Sequence, residues 1–150
     1  MMMKRKIAYM TVCAVAMALL MAACDIETSG NGDLDGYWSL RQIDTLSTAS
    51  ATDVSERRIF WSVQHNLLQT DDRTGAHLSY LFRFQHSGNT LVLSSPYVYG
   101  RENGDDPIDD VEVLRPYGIN AIPETFTVEK LNGSSMVLHS ELLRLHFKRY

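Results

Sequence analysis

The chain has 150 residues, with 14 Lys and Arg against 18 Asp and Glu, 45% apolar residues and two cysteines. That length supports one hydrophobic core. The acidic balance argues against a nucleic-acid partner, because phosphate backbones select basic surfaces.

Lys4, Arg5 and Lys6 precede an uncharged run from Ile7 to Ala23 that ends at Cys24. A basic start, an apolar centre and small residues before the cut are the parts of an export signal. Leu20-Met21-Ala22-Ala23-Cys24 resembles the lipobox of bacterial signal peptidase II, with Met21 where that pattern prefers Leu. Residues 1–23 are therefore expected to be a lipoprotein signal peptide and Cys24 the site of lipid attachment. Two other readings are an ordinary cleaved signal ending near Ala23 and an uncleaved anchor, but the run is short for a spanning helix of about 20 residues.

Each buried methylene contributes about 0.8 kcal/mol to membrane binding, so several acyl chains such as palmitate on Cys24 would hold the protein permanently. The membrane is thus an expected partner. With Cys13 in the signal and Cys24 carrying lipid, no disulfide is expected in the mature chain, and losing three cations leaves 11 basic residues against 18 acidic ones. Asp25 and Glu27 next to Cys24 resemble an inner-membrane retention mark of enterobacterial lipoproteins or a surface-export mark of Bacteroidetes ones.

Residues 24–35 are small, acidic or Gly and read as a flexible tether. Alternation begins at Gly36-Tyr37-Trp38-Ser39-Leu40-Arg41, where Trp38 and Leu40 share one face of a strand. Leu46 to Glu56 read as a loop with room for one helical turn. A second strand puts Ile59, Trp61 and Val63 on one side and Phe60, Ser62 and Gln64 on the other, with room to continue through Leu67 and Leu68. Asp71 to Gly75 read as a turn. Leu78, Tyr80, Phe82 and Phe84 then alternate with Ser79, Leu81, Arg83 and Gln85, and His86 to Asn89 read as a hairpin turn into Thr90–Ser94.

Between residues 96 and 124 the alternation stops. Asp106-Pro107 offers an N-cap and a first helical position, and Ile108, Val111 and Leu114 would line one face until Arg115-Pro116 ends the helix. Phe126, Val128 and Lys130 share a strand face, Asn132-Gly133 is the strongest hairpin signal, and Met136 to His139 and Leu142 to Tyr150 complete the chain. Ser140-Glu141 fits either a tight turn or a bulge. Seven or eight antiparallel strands with one short helix favour an all-β barrel over 36–150, because closure removes exposed edges.

Gly36-Tyr37-Trp38 resembles the G-x-W signature of lipocalins, in which the Trp plugs the closed end and a cation near the last strand packs across it. Leu114 to Ile119, Phe126 to Asn132, Met136 to Leu138 and Leu143 to Lys148 are similar to the small lipocalin-like lipoproteins of Bacteroidetes, which are functionally uncharacterised. The resemblance implies a lipocalin-like barrel and an outer-membrane location, facing the periplasm or the cell surface. It implies no catalytic residue. Arg144 and Arg149 are the candidate cations for Trp38, a contact that contributes about 0.5–2 kcal/mol according to burial.

Trp38, Trp61, Tyr80, Phe82 and Phe84 either line a ligand cavity or fill the interior, since eight-stranded barrels lie near the size at which side chains alone suffice. Asn31 to Gly36 reproduce half of an EF-hand loop, but Gln42 stands at its twelfth position where a bidentate Glu belongs. Asp105, Asp106, Asp109 and Asp110 match no standard metal loop, and the five histidines lack ligand spacing, so no metal or other cofactor is expected. Asp44-Thr45-Leu46 resembles the O-glycosylation pattern of exported Bacteroidetes proteins, in a loop after the first strand. No hydrolase, zincin, Walker or dinucleotide motif occurs. The expected function is non-enzymatic: a membrane-anchored binding domain for a small apolar ligand, a glycan or an envelope protein. The alternative is an accessory subunit of an outer-membrane assembly with a filled barrel.

Overall fold

A computed structural model describes residues 29–100 and 106–150, together with Met3. The rest of the signal peptide, with Cys13, and Cys24, the first part of the tether and Asp105 lie outside these residues. Among the described residues there are nine strands: β1 (Gly36–Thr45), β2 (Ser50–Asp53), β3 (Ile59–Gln64), β4 (Leu67–Asp72), β5 (Tyr80–Ser87), β6 (Thr90–Val98), β7 (Glu124–Leu131), β8 (Ser135–His139) and β9 (Leu143–Arg149).

All neighbours are antiparallel, and β9 pairs back onto β1 through Trp38–Arg149, Leu40–Phe147 and Ile43–Leu145. Eight strands thereby close in the order β1-β3-β4-β5-β6-β7-β8-β9. The ninth, β2, extends the barrel rim: β1 pairs with β3 over Gly36–Ser39 and with β2 over Gln42–Thr45. β2 and the 3-10 turn Ser55–Arg57 occupy the segment expected to be a loop, and all four β2 residues are exposed. With no apolar alternation, their pairing comes from the hairpin alone.

The alternation predicted along the strands sets the core. Trp38, Leu40, Ile59, Trp61, Leu68, Tyr80, Phe82, Leu91, Leu93, Phe126, Met136, Leu138, Leu145 and Phe147 are buried in one continuous cluster. Three bulges reset that alternation. Pairing slips between Leu40 and Gln42, between Leu81 and Arg83, and between Val128 and Lys130. The extra residue lies in β1, in β6 opposite Leu81–Arg83, and in β7, and it reverses which face follows in that strand. Ile43 and Leu131 therefore pack on the core, although simple alternation from Leu40 and Val128 points them outward.

Several boundaries differ from the sequence expectation. The second strand does not continue into Leu67 and Leu68: it turns at His65-Asn66, with His65 at φ 54°, and returns as β4. β4 runs through Asp71 and Asp72, so the expected turn starts later. Leu78 precedes β5 and is exposed. The 106–115 helix begins at Val111 instead, as a 3-10 helix through Tyr117, with Asp110 as N-cap and Pro116 inside it. Pro107 instead forms a bridge with Tyr97. Ser140-Glu141 lie in a tight turn, with Ser140 N donating to Leu143 O at 2.8 Å.

The two barrel ends are covered differently. At the closed end a 3-10 turn, Gly32–Leu34, inserts Leu34, and Trp38 Nε1 donates to Leu34 O at 2.9 Å. At the open end the helix Val111–Tyr117 and the following turn insert Leu114, Tyr117 and Ile119, all buried.

Candidate functional site

The open end carries the cap that shapes the site. Asp110 accepts from Glu112 N at 2.9 Å, which fixes the start of the capping helix. Gly118 ends it at φ +83°, a conformation that L side chains rarely adopt. Trp61 Nε1 donates to Tyr117 O at 3.2 Å, and Tyr117 Oη donates to Leu78 O at 2.5 Å, so the cap is pinned to the barrel wall from inside and outside. Burial pushes the Tyr117 phenol well above its ordinary range, keeping it a donor. The turn after the cap is held by Glu124, whose carboxylate accepts from Asn120 N at 2.6 Å and Ala121 N at 2.9 Å. Burial nevertheless raises the Glu124 pKa, outweighing those two amides.

Beside the cap is a cavity of about 380 Å³. Ile59, Ala76 and Pro116 supply apolar wall, while Asp72, Thr74, His77 and Arg57 supply polar groups. Asp72 is nearly inaccessible and accepts from Thr74 N at 2.8 Å, Thr74 Oγ1 at 2.6 Å and His77 Nδ1 at 2.7 Å. Burial works to raise its pKa, but the Thr74 and His77 hydrogen bonds prevail and hold the carboxyl below its ordinary range. With Nδ1 tied to Asp72, the His77 ring is fixed and Nε2 is left for other partners. A largely apolar recess with a few positioned polar groups is the usual form of a small-ligand site, and its volume lies at the lower end of the roughly 300–1,000 Å³ that such sites occupy.

The expected aromatic set packs together within the barrel. Trp38 and Trp61 are wholly buried, Phe82 and Tyr80 nearly so, and Phe84 packs on the core from its margin. Trp61 lies 4.9 Å from Phe147 and 5.8 Å from Phe126 between ring centroids, and Tyr80 meets Tyr117 edge-on at 5.9 Å. A larger groove, about 840 Å³, runs along the closed end between Gly36, Tyr37, Val63 and His65.

A family profile for the lipocalin-like domain matches residues 19–150. The chain belongs to the lipocalin-like family. Among solved structures, a lipocalin-like protein from Bacteroides uniformis is 21% identical, with a TM-score of 0.61, over 79% of this chain and 100% of that one. An uncharacterized protein from Bacteroides eggerthii is 17% identical, with a TM-score of 0.55, over 77% and 98%. At these identities the likeness is one of fold. No curated protein matches the chain.

In this lipocalin-like barrel Arg149, not Arg144, lies over Trp38. Its Cζ is 4.5 Å from the ring centroid, while Nη1 and Nη2 donate to Asp35 O at 2.8 Å and Asp33 O at 2.7 Å. Gly36 makes room: a Cβ there would collide with the Arg149 guanidinium, and its φ is +135°. Arg144 instead pairs with Glu129 on the outer wall at 2.9 and 3.0 Å. Thr45 is the last residue of β1, half-buried and paired with Ser50 and Leu143, and so lies in a strand where a loop was expected.

The acidic half-loop at Asn31–Gly36 folds into the 3-10 turn that closes the barrel, where the Asn31 amide bonds Asp35 at 2.7 Å and His65 O at 2.6 Å. Among the described residues no group of three His, Cys, Asp or Glu side chains is placed to hold a metal, and no helix is long and apolar enough to cross a membrane. The mouth residues Arg57, Thr74, Ala76 and His77 escaped sequence reasoning. They come from two separate connections, and the one local signal was the five-residue spacing of Asp72 and His77 across a turn.

Proposed function

We propose that the protein is a membrane-tethered, non-enzymatic binding protein of the cell envelope that holds a small, largely apolar ligand at the barrel mouth. The observation that carries this reading is the cavity of about 380 Å³ between the cap and the β4–β5 connection, apolar on Ile59, Ala76 and Pro116 and oriented by the Asp72–His77 pair. A filled core beneath it makes the mouth a shallow receptor on a rigid base, which lowers the ordering penalty of binding. Cys24 carries the tether in this proposal, and the outer membrane is its location.

Native mass spectrometry of the mature protein purified from its own envelope tests the reading. A bound small mass is expected, and it is lost in Ala76→Trp, which fills the recess from an exposed position. Retention of the same mass by that variant overturns the mouth as the binding site. Cys24→Ala is expected to release the protein from the membrane fraction, and its persistence there counts against lipid anchoring.

A second reading, an accessory subunit of an envelope assembly, is favoured by the packed interior and by an outer-wall groove of about 550 Å³ containing Leu67, Leu81 and the exposed Tyr99. The same spectra report it as a co-purifying protein mass instead of a small one.

A further inference from the structure

We propose that the mouth cavity selects ligands bearing a carboxylate or similar oxyanion on an apolar body, with Arg57 as the residue that recognises the charge. The inference rests on the mouth-binding reading above and adds a sign of charge to it.

The hydrogen-bonding capacity of the cavity is unevenly used. Asp72 Oδ1 already accepts from Thr74 N and Thr74 Oγ1, and Asp72 Oδ2 from His77 Nδ1. The Thr74 hydroxyl proton is committed to that bond. A cationic ligand would therefore find the one carboxylate of the recess buried and occupied. Two neighbouring arginines are paired: Arg115 with Glu112 at 2.8 Å, and Arg73 with Asp71 at 3.8 Å while it also lies over the Tyr37 and Phe60 rings.

Arg57 differs from these. It ends the 3-10 turn Ser55–Arg57, lines the recess, is exposed, and among the described residues its guanidinium has neither a carboxylate partner nor a hydrogen bond. A guanidinium presents a planar fork that matches a carboxylate with two parallel N–H donors. At the roughly 30 Å³ that one water occupies in the liquid, the recess holds about a dozen non-hydrogen atoms. An apolar body of that size would lie on Ile59, Ala76 and Pro116 with its head at Arg57.

The test uses the full chain in phospholipid nanodiscs and three probes of equal chain length: octanoate, 1-octanol and octylamine. The Ile59 methyl signals in carbon-proton correlation spectra report occupancy of the mouth, independent of partition into lipid. Octanoate is expected to saturate the Ile59 shift at about tenfold lower concentration than octanol, with octylamine weakest. Arg57→Gln should remove the octanoate advantage and leave octanol unchanged. Equal or tighter binding of octanol or octylamine at Ile59 overturns the anion preference but leaves the mouth site standing. No shift of Ile59 with any probe at millimolar concentration overturns the mouth reading itself, and the charge preference with it.

Discussion

The two ends of the barrel are both covered by 3-10 segments, yet they are held in opposite ways. At the closed end the first and last strands meet, and one guanidinium ties Trp38 to the carbonyls of Asp33 and Asp35. At the open end the cap comes from a long connection between β6 and β7, is pinned mainly through Tyr117, and leaves a recess beside Pro116. Contacts between strand termini bury Leu34 and Trp38 completely, while a cap laid across a rim leaves a margin beside it. In the proposed reading the closed end serves stability and the open end recognition.

That contrast is most sharply broken at Trp38. Trp38→Ala removes a fully buried indole whose neighbours belong to the closed rim, and is expected to destabilise the fold by about 3–5 kcal/mol, read as a lower denaturant midpoint. Arg149→Ala should follow with about 1–3 kcal/mol, from the lost ring contact and two carbonyl hydrogen bonds. If either variant unfolds at the wild-type midpoint, the closed end is not the stabilising one.

At the open end Gly118→Ala forces a side chain into φ +83° and brings its Cβ to 2.8 Å from the Leu145 methyls. The Leu145 tip can yield only slightly because it is fully buried. A loss of about 1–2 kcal/mol is expected, with ligand binding weakened because the cap that forms one wall shifts. Unchanged binding at reduced stability would separate the cap from the recess.

Acid should reach the open end first. Asp72 has a folded-state pKa held below its ordinary value, so ionised Asp72 stabilises the fold above the unfolded value of about pH 3.9, and the contribution fades as pH falls from there toward the folded value. The closed-end acceptors of Arg149 are backbone carbonyls, which do not titrate. Asp72→Asn is expected to lose on the order of 1 kcal/mol at neutral pH and to flatten the acid limb of the stability profile. A wild-type acid limb in that variant would assign acid sensitivity elsewhere.

The architecture was legible because strand alternation is a local signal. Trp38-Ser39-Leu40, Ile59-Phe60-Trp61 and Phe82 to Phe84 each reveal their inward face within a few residues. What alternation hides is its own interruption: the bulges after Leu40, between Ser94 and Tyr97, and after Val128 depend on the partner strand, and nothing local predicts that Leu131 turns inward. The G-x-W pattern was visible, but the role of Gly36 appears only when Arg149, 113 positions later, occupies the space a Cβ would take. The mouth site was the least legible part. Arg57 and His77 are ordinary surface residues in sequence and become a site only where two connections converge beside Pro116.

The smallest effect concerns the cation that sequence could not separate from Arg149. Arg144 makes a two-pronged contact with Glu129, which also meets His139 at 3.4 Å, and these bonds hold the Glu129 carboxyl below its ordinary range. All of it lies on the outer wall, with both side chains about a third exposed. Solvent and salt screen such a pair, and fixing two long side chains opposes what attraction remains. Arg144→Ala is therefore expected to leave the denaturant midpoint unchanged within measurement error, in low salt and in high salt alike. A loss comparable to that of Arg149→Ala would mean that the β7–β8–β9 outer wall, and not only the closed rim, secures the barrel seam.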